Sequence, residues 1–144
     1  MTEERHETAA ARLRAIGQRY TPNRRTLVEV LSGARQPLTI PEILSGRPGL
    51  AQSSVYRNLG VLRVAKVARR VLTSEEFARY ELTEDLTEHH HHLVCSSCGA
   101  VEDFTVTSRL ERTMQRAITE ATAGRRFAPL SHRLDLIGLC GRCA

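Results

Sequence analysis

The stretch HHHHLVCSSCG, residues 89–99, determines how the second half of this 144-residue chain folds. Its Cys95-x-x-Cys98 spacing lets two thiolates in one tight turn reach a single ion. A second pair, Cys140-x-x-Cys143, follows after 41 intervening residues. The two pairs predict a closed, structural Cys₄ zinc site that joins the end of the chain to the turn after the histidines.

Two other readings of the cysteines remain open at this point. A redox dithiol would need only one pair, and an iron–thiolate site has the same geometry as a zinc site. The first residues lack an apolar signal core, and no run of about 18 apolar residues occurs. We therefore expect a cytoplasmic protein without a membrane span, and a reducing cytoplasm favours metal ligands over disulfides.

The four consecutive histidines predict two further metal sites. On a strand, alternate side chains face opposite ways, so His90 and His92 would point to one side and His89 and His91 to the other. Neutral imidazole suits zinc, iron(II), nickel or copper. A remnant of a purification tag or a solvated polar loop is the alternative explanation, although the run is internal. The further candidate ligands are Glu81, Glu84, Asp85, Glu88, Glu111 and His132.

The first half has the pattern of a winged helix-turn-helix domain. Apolar spacing predicts helices at residues 7–16, from Pro22 to near Gly33 and at residues 40–44, with Thr21 and Thr39 as N-caps. A fourth helix would start from Ser53 or Ser54. Two strands, at residues 67–72 and 79–82, would flank a turn at residues 73–76. Helices followed by a hairpin are the winged-helix order.

The second half predicts a small α/β domain. Residues 92–95 and 100–106 read as strands, residues 108–122 as a helix, and residues 131–139 as a final strand that begins near His132. The predicted buried side of the helix comprises Leu110, Met114, Ala117, Ile118 and Ala121. The sequence thus predicts an α+β fold with a winged-helix DNA-binding domain at 1–83 and a small, metal-binding α/β domain at 84–144.

The charge of the chain is concentrated in its first half. Residues 1–83 carry 14 Lys and Arg against 8 Asp and Glu, a net charge of +6, and residues 84–144 carry 7 against 8, a net charge of −1. A basic half favours a polyanionic partner, which is nucleic acid or an acidic membrane surface.

Taken together, these motifs resemble the ferric uptake regulator (Fur) family across residues 10–144. The matching segments, in the family's order, are TPNRR at 21–25, SVYRNL at 54–59, YEL at 80–82, HHHHLVCSSCG at 89–99, SH at 131–132 and CGRC at 140–143. The resemblance implies a homodimeric, metal-dependent repressor of metal-uptake or homeostasis genes that binds AT-rich palindromic double-stranded DNA.

The resemblance also implies roles for particular residues. Cys95, Cys98, Cys140 and Cys143 would hold structural Zn²⁺. Glu81, His90 and His92 would form a regulatory hinge site. Residues 84–144 would form the family's dimerisation domain, and a further site there would comprise His89, His91, Glu111 and His132. The DNA-binding residues would be Arg19, Ser54, Tyr56, Arg57 and Asn58.

The chain departs from the family pattern around the hinge. Pro37 stands where a histidine is often found, Arg69 and Arg70 occupy the stretch of the wing from which other members draw ligands, and the interval from Glu81 to the histidines is about two residues longer than expected. The hinge site would therefore use water as a ligand or recruit Glu84, Asp85 or Glu88. The lack of a hinge cysteine argues against zinc sensing and the imidazole run argues for it, so Fe²⁺ and Zn²⁺ stay open, with Mn²⁺ a third option.

Two readings from other classes compete with a repressor. A zinc-dependent hydrolase would need an open metal position beside a general acid or base, but the sequence has no HExxH motif and no nucleophile elbow, so we expect no enzyme. A zinc-ribbon module that binds protein or RNA would account for the cysteines and leave the basic helix and wing unexplained.

Overall fold

The computed structural model describes residues 2–71 and 78–144 and has a mixed helical and β architecture, as predicted. The turn expected at residues 73–76 lies outside the described residues. The elements of the first half, here called the head, are α1 Glu3–Ala15, α2 Pro22–Gly33, β1 Leu38–Thr39, α3 Ile40–Leu44, α4 Gln52–Val64, β2 Ala68–Val71 and β3 Arg79–Leu82. After the short 3₁₀ hinge turn Glu84–Leu86, the C-terminal half comprises β4 His91–Cys95, β5 Val101–Phe104, α5 Ser108–Thr122 and β6 Asp135–Gly138.

Side-chain caps start two of the helices where the sequence predicts them. The hydroxyl of Thr21 accepts a hydrogen bond from the Arg24 amide at 3.3 Å, and Thr39 caps α3 in the same way. The predicted serine cap of α4 is wrong, because the helix begins at Gln52 after an extended Ala51. Ser54 then lies inside the first turn of the helix, and its hydroxyl accepts from the Asn58 side chain instead.

The core of the head lies between its helices and a small antiparallel sheet of order β1–β3–β2. Val55, Leu59 and Leu62 are buried on one side of α4, as the apolar spacing predicts. The sequence did not indicate the two-residue β1, which pairs with β3. Leu86 of the hinge turn packs into the same core, so the chain leaves the head only after this residue.

The C-terminal half is built on a sheet of order β5–β4–β6, in which β4 pairs antiparallel with β5 and parallel with β6. Helix α5 has the predicted bounds, but none of its residues is buried in the single chain, and Leu110 is 46% exposed. The residues that the structure describes thus cover the predicted buried side of α5 only in part: Met114 and Ile118 are half-buried, while Leu110, Ala117 and Ala121 are exposed. The final strand is shorter than predicted, because only residues 135–138 pair with β4, and His132 lies before it.

No helix within residues 2–71 and 78–144 is both long enough and apolar enough to cross a membrane.

Candidate metal centres and nucleic-acid interface

The four cysteines converge at the end of the C-terminal sheet. Their sulfur atoms all lie within 4.8 Å of one another, and none forms a disulfide. The sulfurs of Cys98 and Cys140 are 3.7 Å apart, near the edge of about 3.8 Å that four metal–sulfur bonds of about 2.3 Å give in a tetrahedron. This cysteine cluster contains both predicted pairs, whereas a redox dithiol needs only one.

The backbone around Cys95 favours its thiolate. The amides of Cys98 and Cys140 point at its sulfur from 3.5 and 3.4 Å. These two N–H groups, Cys98 first, lower the pKa of the Cys95 thiol to about 6. The form of the side chain that binds a metal is thus the one that the fold stabilises.

A second group, here called the hinge cluster, comprises Glu81, His90, His92 and Asp103, whose ligand atoms lie within 4.8 Å of one another. Glu81 comes from β3 of the head, and the other three lie in the C-terminal half. One carboxylate oxygen of Glu81, Oε2, is 2.9 Å from Nε2 of His90 and 3.2 Å from Nε2 of His92. The Asp103 carboxylate faces the same two nitrogens at 3.8 and 3.6 Å.

Groups outside the hinge cluster fix which nitrogen each imidazole turns inward. Nδ1 of His90 donates to the Glu88 carbonyl at 2.8 Å, and Nδ1 of His92 lies 3.2 Å from the Asp135 carboxylate. Both Nε2 atoms are therefore left to face Glu81. Hydrogen bonds of this kind set the tautomer and orientation of histidines that ligate metals.

Charge in the hinge cluster is balanced around a buried carboxylate. Arg69 holds the other oxygen of Glu81 at 2.7 Å. Burial opposes ionisation of Glu81, but hydrogen bonds from His90 and His92 together with the Arg69 charge hold its pKa well below the usual range. The hydrogen bond with Glu81 raises the pKa of His90 to about 9. Burial raises the pKa of Asp103.

A third group, here called the inner cluster, comprises His89, His91, Glu111 and His132, again within 4.8 Å. Glu111 projects from α5, and its carboxylate lies 2.5 Å from Nε2 of His91 and 3.3 Å from the Nε2 atoms of His89 and His132. Glu84 of the hinge turn contacts Nδ1 of His89 from the other side. Burial lowers the pKa of His89, which favours the neutral imidazole that a metal needs.

Several buried polar atoms in the two histidine clusters form no hydrogen bond with any residue that the structure describes. They are Oδ1 of Asp103, Nε2 of His89, Nδ1 of His91 and Nε2 of His132. A buried polar atom without a partner costs about 1–3 kcal/mol, so such atoms are rare unless something else satisfies them. Two of these atoms, Nε2 of His89 and Nε2 of His132, face Glu111 in the inner cluster, and Oδ1 of Asp103 faces His92 in the hinge cluster. Imidazole and carboxylate are suitable ligands for divalent iron, zinc or manganese. Both clusters therefore fit a metal ion.

His90 and His92 lie in one cluster and His89 and His91 in the other, as expected from the alternation of side chains along a strand. The candidate extra ligands of the hinge site, Glu84, Asp85 and Glu88, are not part of the hinge cluster. Asp103 is the carboxylate that sequence reasoning missed, and Glu84 lies at the inner cluster instead. Asp103 is the cross-strand neighbour of His92 in the β4–β5 hairpin. Pairing the residues of the two predicted strands outwards from the turn after Cys95 would have indicated it.

Comparison with known proteins decides the family. The model of the ferric uptake regulator family matches residues 15–137. The chain belongs to this family. A peroxide-responsive repressor, PerR, of Staphylococcus aureus is 26% identical over 98% of this chain and 93% of the relative.

Solved structures of Fur-family proteins have the same fold. The ferric uptake regulator of Helicobacter pylori superposes with a TM-score of 0.73 at 24% identity, covering 98% of this chain and 92% of that one. A zinc-bound manganese uptake regulator gives 0.64 at 26% identity, covering 94% and 98%. Family membership places this Fur-family chain among metal-responsive transcription regulators.

The head of this Fur-family chain presents part of the predicted DNA-binding set on its surface. Tyr56 is 69% exposed on α4, Arg57 and Arg19 are exposed, and Ser54 is partly buried. Asn58 is a correction. It is 6% exposed, its amide donates to Ser54, and its oxygen accepts from Arg24 at 3.0 Å. Asn58 thus holds α4 against α2 and does not face solvent.

Proposed function

We propose that this chain is a homodimeric repressor that binds AT-rich palindromic operators of metal-uptake or homeostasis genes when the hinge cluster holds a divalent metal. The observation that carries the proposal is the position of Glu81 Oε2, 2.9 and 3.2 Å from two imidazole nitrogens of the other half. A carboxylate from the head and imidazoles from the C-terminal half thereby face one point.

This geometry couples metal binding to the position of the head. Glu81 moves with β3, while His90, His92 and Asp103 move with the C-terminal sheet, so a shared cation restricts how the two halves sit relative to each other. Glu81, His90, His92 and Asp103 would hold the metal, whose positive charge would take the place of the hydrogen bonds among them and give Oδ1 of Asp103 a partner. Metal increases DNA affinity only if the DNA-competent arrangement binds it more tightly than the alternatives.

We assign the other two clusters supporting roles. The cysteine cluster would hold structural Zn²⁺, because four thiolates form a closed shell without an open position. The inner cluster would bind a further metal ion and hold α5 on the C-terminal sheet through Glu111. Both roles stabilise the half of the chain from which the hinge histidines come.

The proposed dimer interface is the apolar surface that the single chain leaves uncovered. It includes the α5 face and part of β6, where Leu110, Leu136 and Ile137 are 46%, 48% and 67% exposed. Apolar surface of this extent favours burial against a second copy. A two-fold dimer would hold two heads about 34–36 Å apart, which is one helical turn of DNA.

On DNA, α4 would enter the major groove. Arg57 is suited to guanine or phosphate and Tyr56 to a thymine methyl, with Ser54 as a further polar contact. Arg19, just before α2, would reach a narrow AT-rich minor groove. The net charge of +6 on residues 1–83 supports this orientation of the head towards DNA.

For the sensed ion we propose iron(II), with zinc and manganese(II) as the ions to test against it. The hinge cluster offers two imidazoles and two carboxylates and no thiolate, and nitrogen–oxygen sets with carboxylate suit iron(II) and manganese(II). The zinc alternative stays in the comparison because imidazole also suits zinc and one similar structure is a zinc-bound manganese uptake regulator.

A second candidate function is peroxide-responsive repression. It is favoured by the 26% identity with a peroxide-responsive repressor over nearly the whole chain. Operator binding by the iron-loaded protein would then be lost after brief peroxide treatment, whereas the manganese-loaded protein would keep it. Equal resistance of both forms would exclude this candidate.

The decisive experiment is a fluorescence-anisotropy titration of AT-rich palindromic DNA under anaerobic conditions. Protein with its cysteine cluster loaded with zinc is compared with and without added Fe²⁺, Mn²⁺ or Zn²⁺. We expect at least a tenfold gain in operator affinity with the sensed ion, corresponding to about 1.4 kcal/mol. Glu81→Gln should lose the gain, and Glu102→Gln, an exposed neighbour of Asp103, should keep it. Metal-independent binding by the wild type would overturn the proposal.

A further inference from the structure

The hinge turn Glu84–Leu86 contacts three different parts of the molecule through three consecutive side chains. Leu86 is 5% exposed and belongs to the core of the head. Asp85 forms an ion pair with Arg12 of α1, and Glu84 contacts His89 of the inner cluster. The turn itself is held by hydrogen bonds from the amide of Leu86 to Thr83 and from that of Thr87 to Glu84.

On the C-terminal side, Glu84 determines which nitrogen of His89 faces the inner cluster. Its carboxylate takes Nδ1, so Nε2 is the atom that lies 3.3 Å from the Glu111 carboxylate. That Nε2 is buried and, although it lies within ion-pair distance of Glu111, forms no hydrogen bond with the described residues. A carboxylate on one ring nitrogen fixes the tautomer and increases the basicity of the other, which is the arrangement found behind histidines that bind metals.

On the head side, Arg12 connects the turn to two structural elements. Besides its ion pair with Asp85, Arg12 donates to the carbonyl of Lys66 at 2.6 Å. Lys66 has a φ of +58°, in the left-handed region, at the corner between α4 and β2. The Thr83 hydroxyl donates to the same carbonyl at 3.0 Å. The hinge turn is thus attached to α1 and to the corner that follows α4, the recognition helix proposed to enter the major groove.

We propose that Glu84 is a positioning residue through which metal binding at the inner cluster is transmitted to the DNA-binding head. The inner cluster then controls the head as well as the C-terminal half, by a route separate from Glu81. Glu84 orients His89, and the neighbouring Asp85 and Leu86 carry the constraint to α1 and the core. This inference rests on the proposed function and adds a second point of metal control to it.

The test uses the dimer of the 144-residue chain with its cysteine cluster zinc-loaded and with Glu81→Gln to weaken the hinge cluster. Zn²⁺ is titrated, and hydrogen exchange is followed in residues 3–15 and 84–86. We expect Zn²⁺ to slow exchange in both segments. Adding Glu84→Ala should lower Zn²⁺ affinity about 10–100-fold and, at saturating Zn²⁺, abolish the protection of residues 3–15.

Three matched variants separate positioning from a general loss of structure. Asp85→Asn should leave Zn²⁺ affinity unchanged and lose the protection of residues 3–15. Glu84→Gln keeps an oxygen that accepts from Nδ1 of His89, so it should retain that protection with a smaller loss of affinity. Glu88→Gln, an exposed carboxylate on the same linker, should behave as the parent.

Two results would overturn the inference. One is unchanged Zn²⁺ affinity in Glu84→Ala, and the other is protection in the parent confined to residues 89–132. Either result is distinguishable from failure of the proposed function, because that function is judged by metal-dependent operator binding of the protein with an intact Glu81.

Discussion

The two halves of the molecule differ in what they bury. In the head, Leu13, Leu62 and Val67 are 0% exposed. In the C-terminal half, His91 and His92 are 1% and 2% exposed, while Ile137 on the neighbouring strand is 67% exposed. The head is arranged like an ordinary apolar core, whereas much of the C-terminal half has titratable groups inside and apolar groups outside.

This difference indicates what each half needs in order to be stable. Apolar burial stabilises the head by about 25 cal/mol per Å² of buried surface, and this stabilisation needs no metal ion and no partner chain. Buried imidazoles and carboxylates are stable only when paired or bound to metal, and exposed apolar faces favour a partner chain. We therefore expect metal ions and a second copy of the chain to stabilise the C-terminal half, and to affect the head much less.

The largest expected effect comes from removing one ligand of the cysteine cluster. If the cysteine cluster holds the proposed structural zinc, Cys140→Ser should lose it and unfold the C-terminal half, since binding of structural zinc contributes on the order of 10 kcal/mol. The head should keep its helices. Zinc content and thermal unfolding followed by circular dichroism measure this, with Arg142→Ala as control. A zinc-free variant that melts like the wild type would remove the contrast between the halves.

The next effect concerns the uncovered apolar face. Ile137→Asp should dissociate the dimer, because an apolar side chain is lost from both copies of a two-fold interface. Each lost side chain should weaken the free energy of dimerisation by about 1.5–3 kcal/mol. Sedimentation at several protein concentrations measures the shift towards monomer. Val64→Asp places the same charge on an equally exposed site of the head and should leave the dimer intact. Dissociation by both variants would contradict the assignment of the interface.

Within the head, one large-to-small substitution tests whether its core is self-sufficient. Leu62→Ala should lower the free energy of unfolding by about 2–5 kcal/mol, and the effect should not depend on added metal. Val64→Ala, two residues along the same helix but 69% exposed, should change it by less than about 0.5 kcal/mol. Chemical denaturation with and without zinc gives both values, and a metal-dependent loss in Leu62→Ala would weaken the comparison.

A smaller effect separates contact with DNA from support of the recognition helix. Arg57→Ala should weaken operator binding by about 1–3 kcal/mol and leave the melting temperature unchanged. Asn58→Ala should lower stability by about 1 kcal/mol, because it breaks two hydrogen bonds of a buried amide. Paired binding and melting measurements would contradict this division if Arg57→Ala proved the less stable of the two.

A last prediction tests one outer partner of the hinge cluster, Asp135, and one of its members, Asp103. Asp135→Asn removes the charge that orients His92 and should lower metal affinity at the hinge about 10–100-fold, or about 1.4–2.7 kcal/mol. Asp103→Asn removes a facing carboxylate and should lower it at least as much. Calorimetric titration of zinc-loaded protein gives both constants. Unchanged affinity in Asp103→Asn would show that this carboxylate does not belong to the site.

Local sequence signals were sufficient where they act within a few residues. Thr21 and Thr39 cap helices as predicted, the bounds of α5 agree, and the alternation of residues 89–92 distributes the histidines to two clusters. Prediction failed where the deciding contact comes from elsewhere in the chain. Asn58 was expected to contact DNA, but it is buried, and its side-chain oxygen accepts a hydrogen bond from Arg24 of α2, 34 residues away.

The sequence alone determined the residue types and short spacings: two Cys-x-x-Cys pairs, four alternating histidines, a basic first half and an amphipathic α5. Only the tertiary structure decided the pairings. The hairpin register brings Asp103 opposite His92, and the hinge turn places Glu84 on His89 while its neighbour Asp85 pairs with Arg12. The physical reason is that periodicity determines the direction of a side chain from its own backbone, whereas which groups it meets depends on strand register and packing between distant segments.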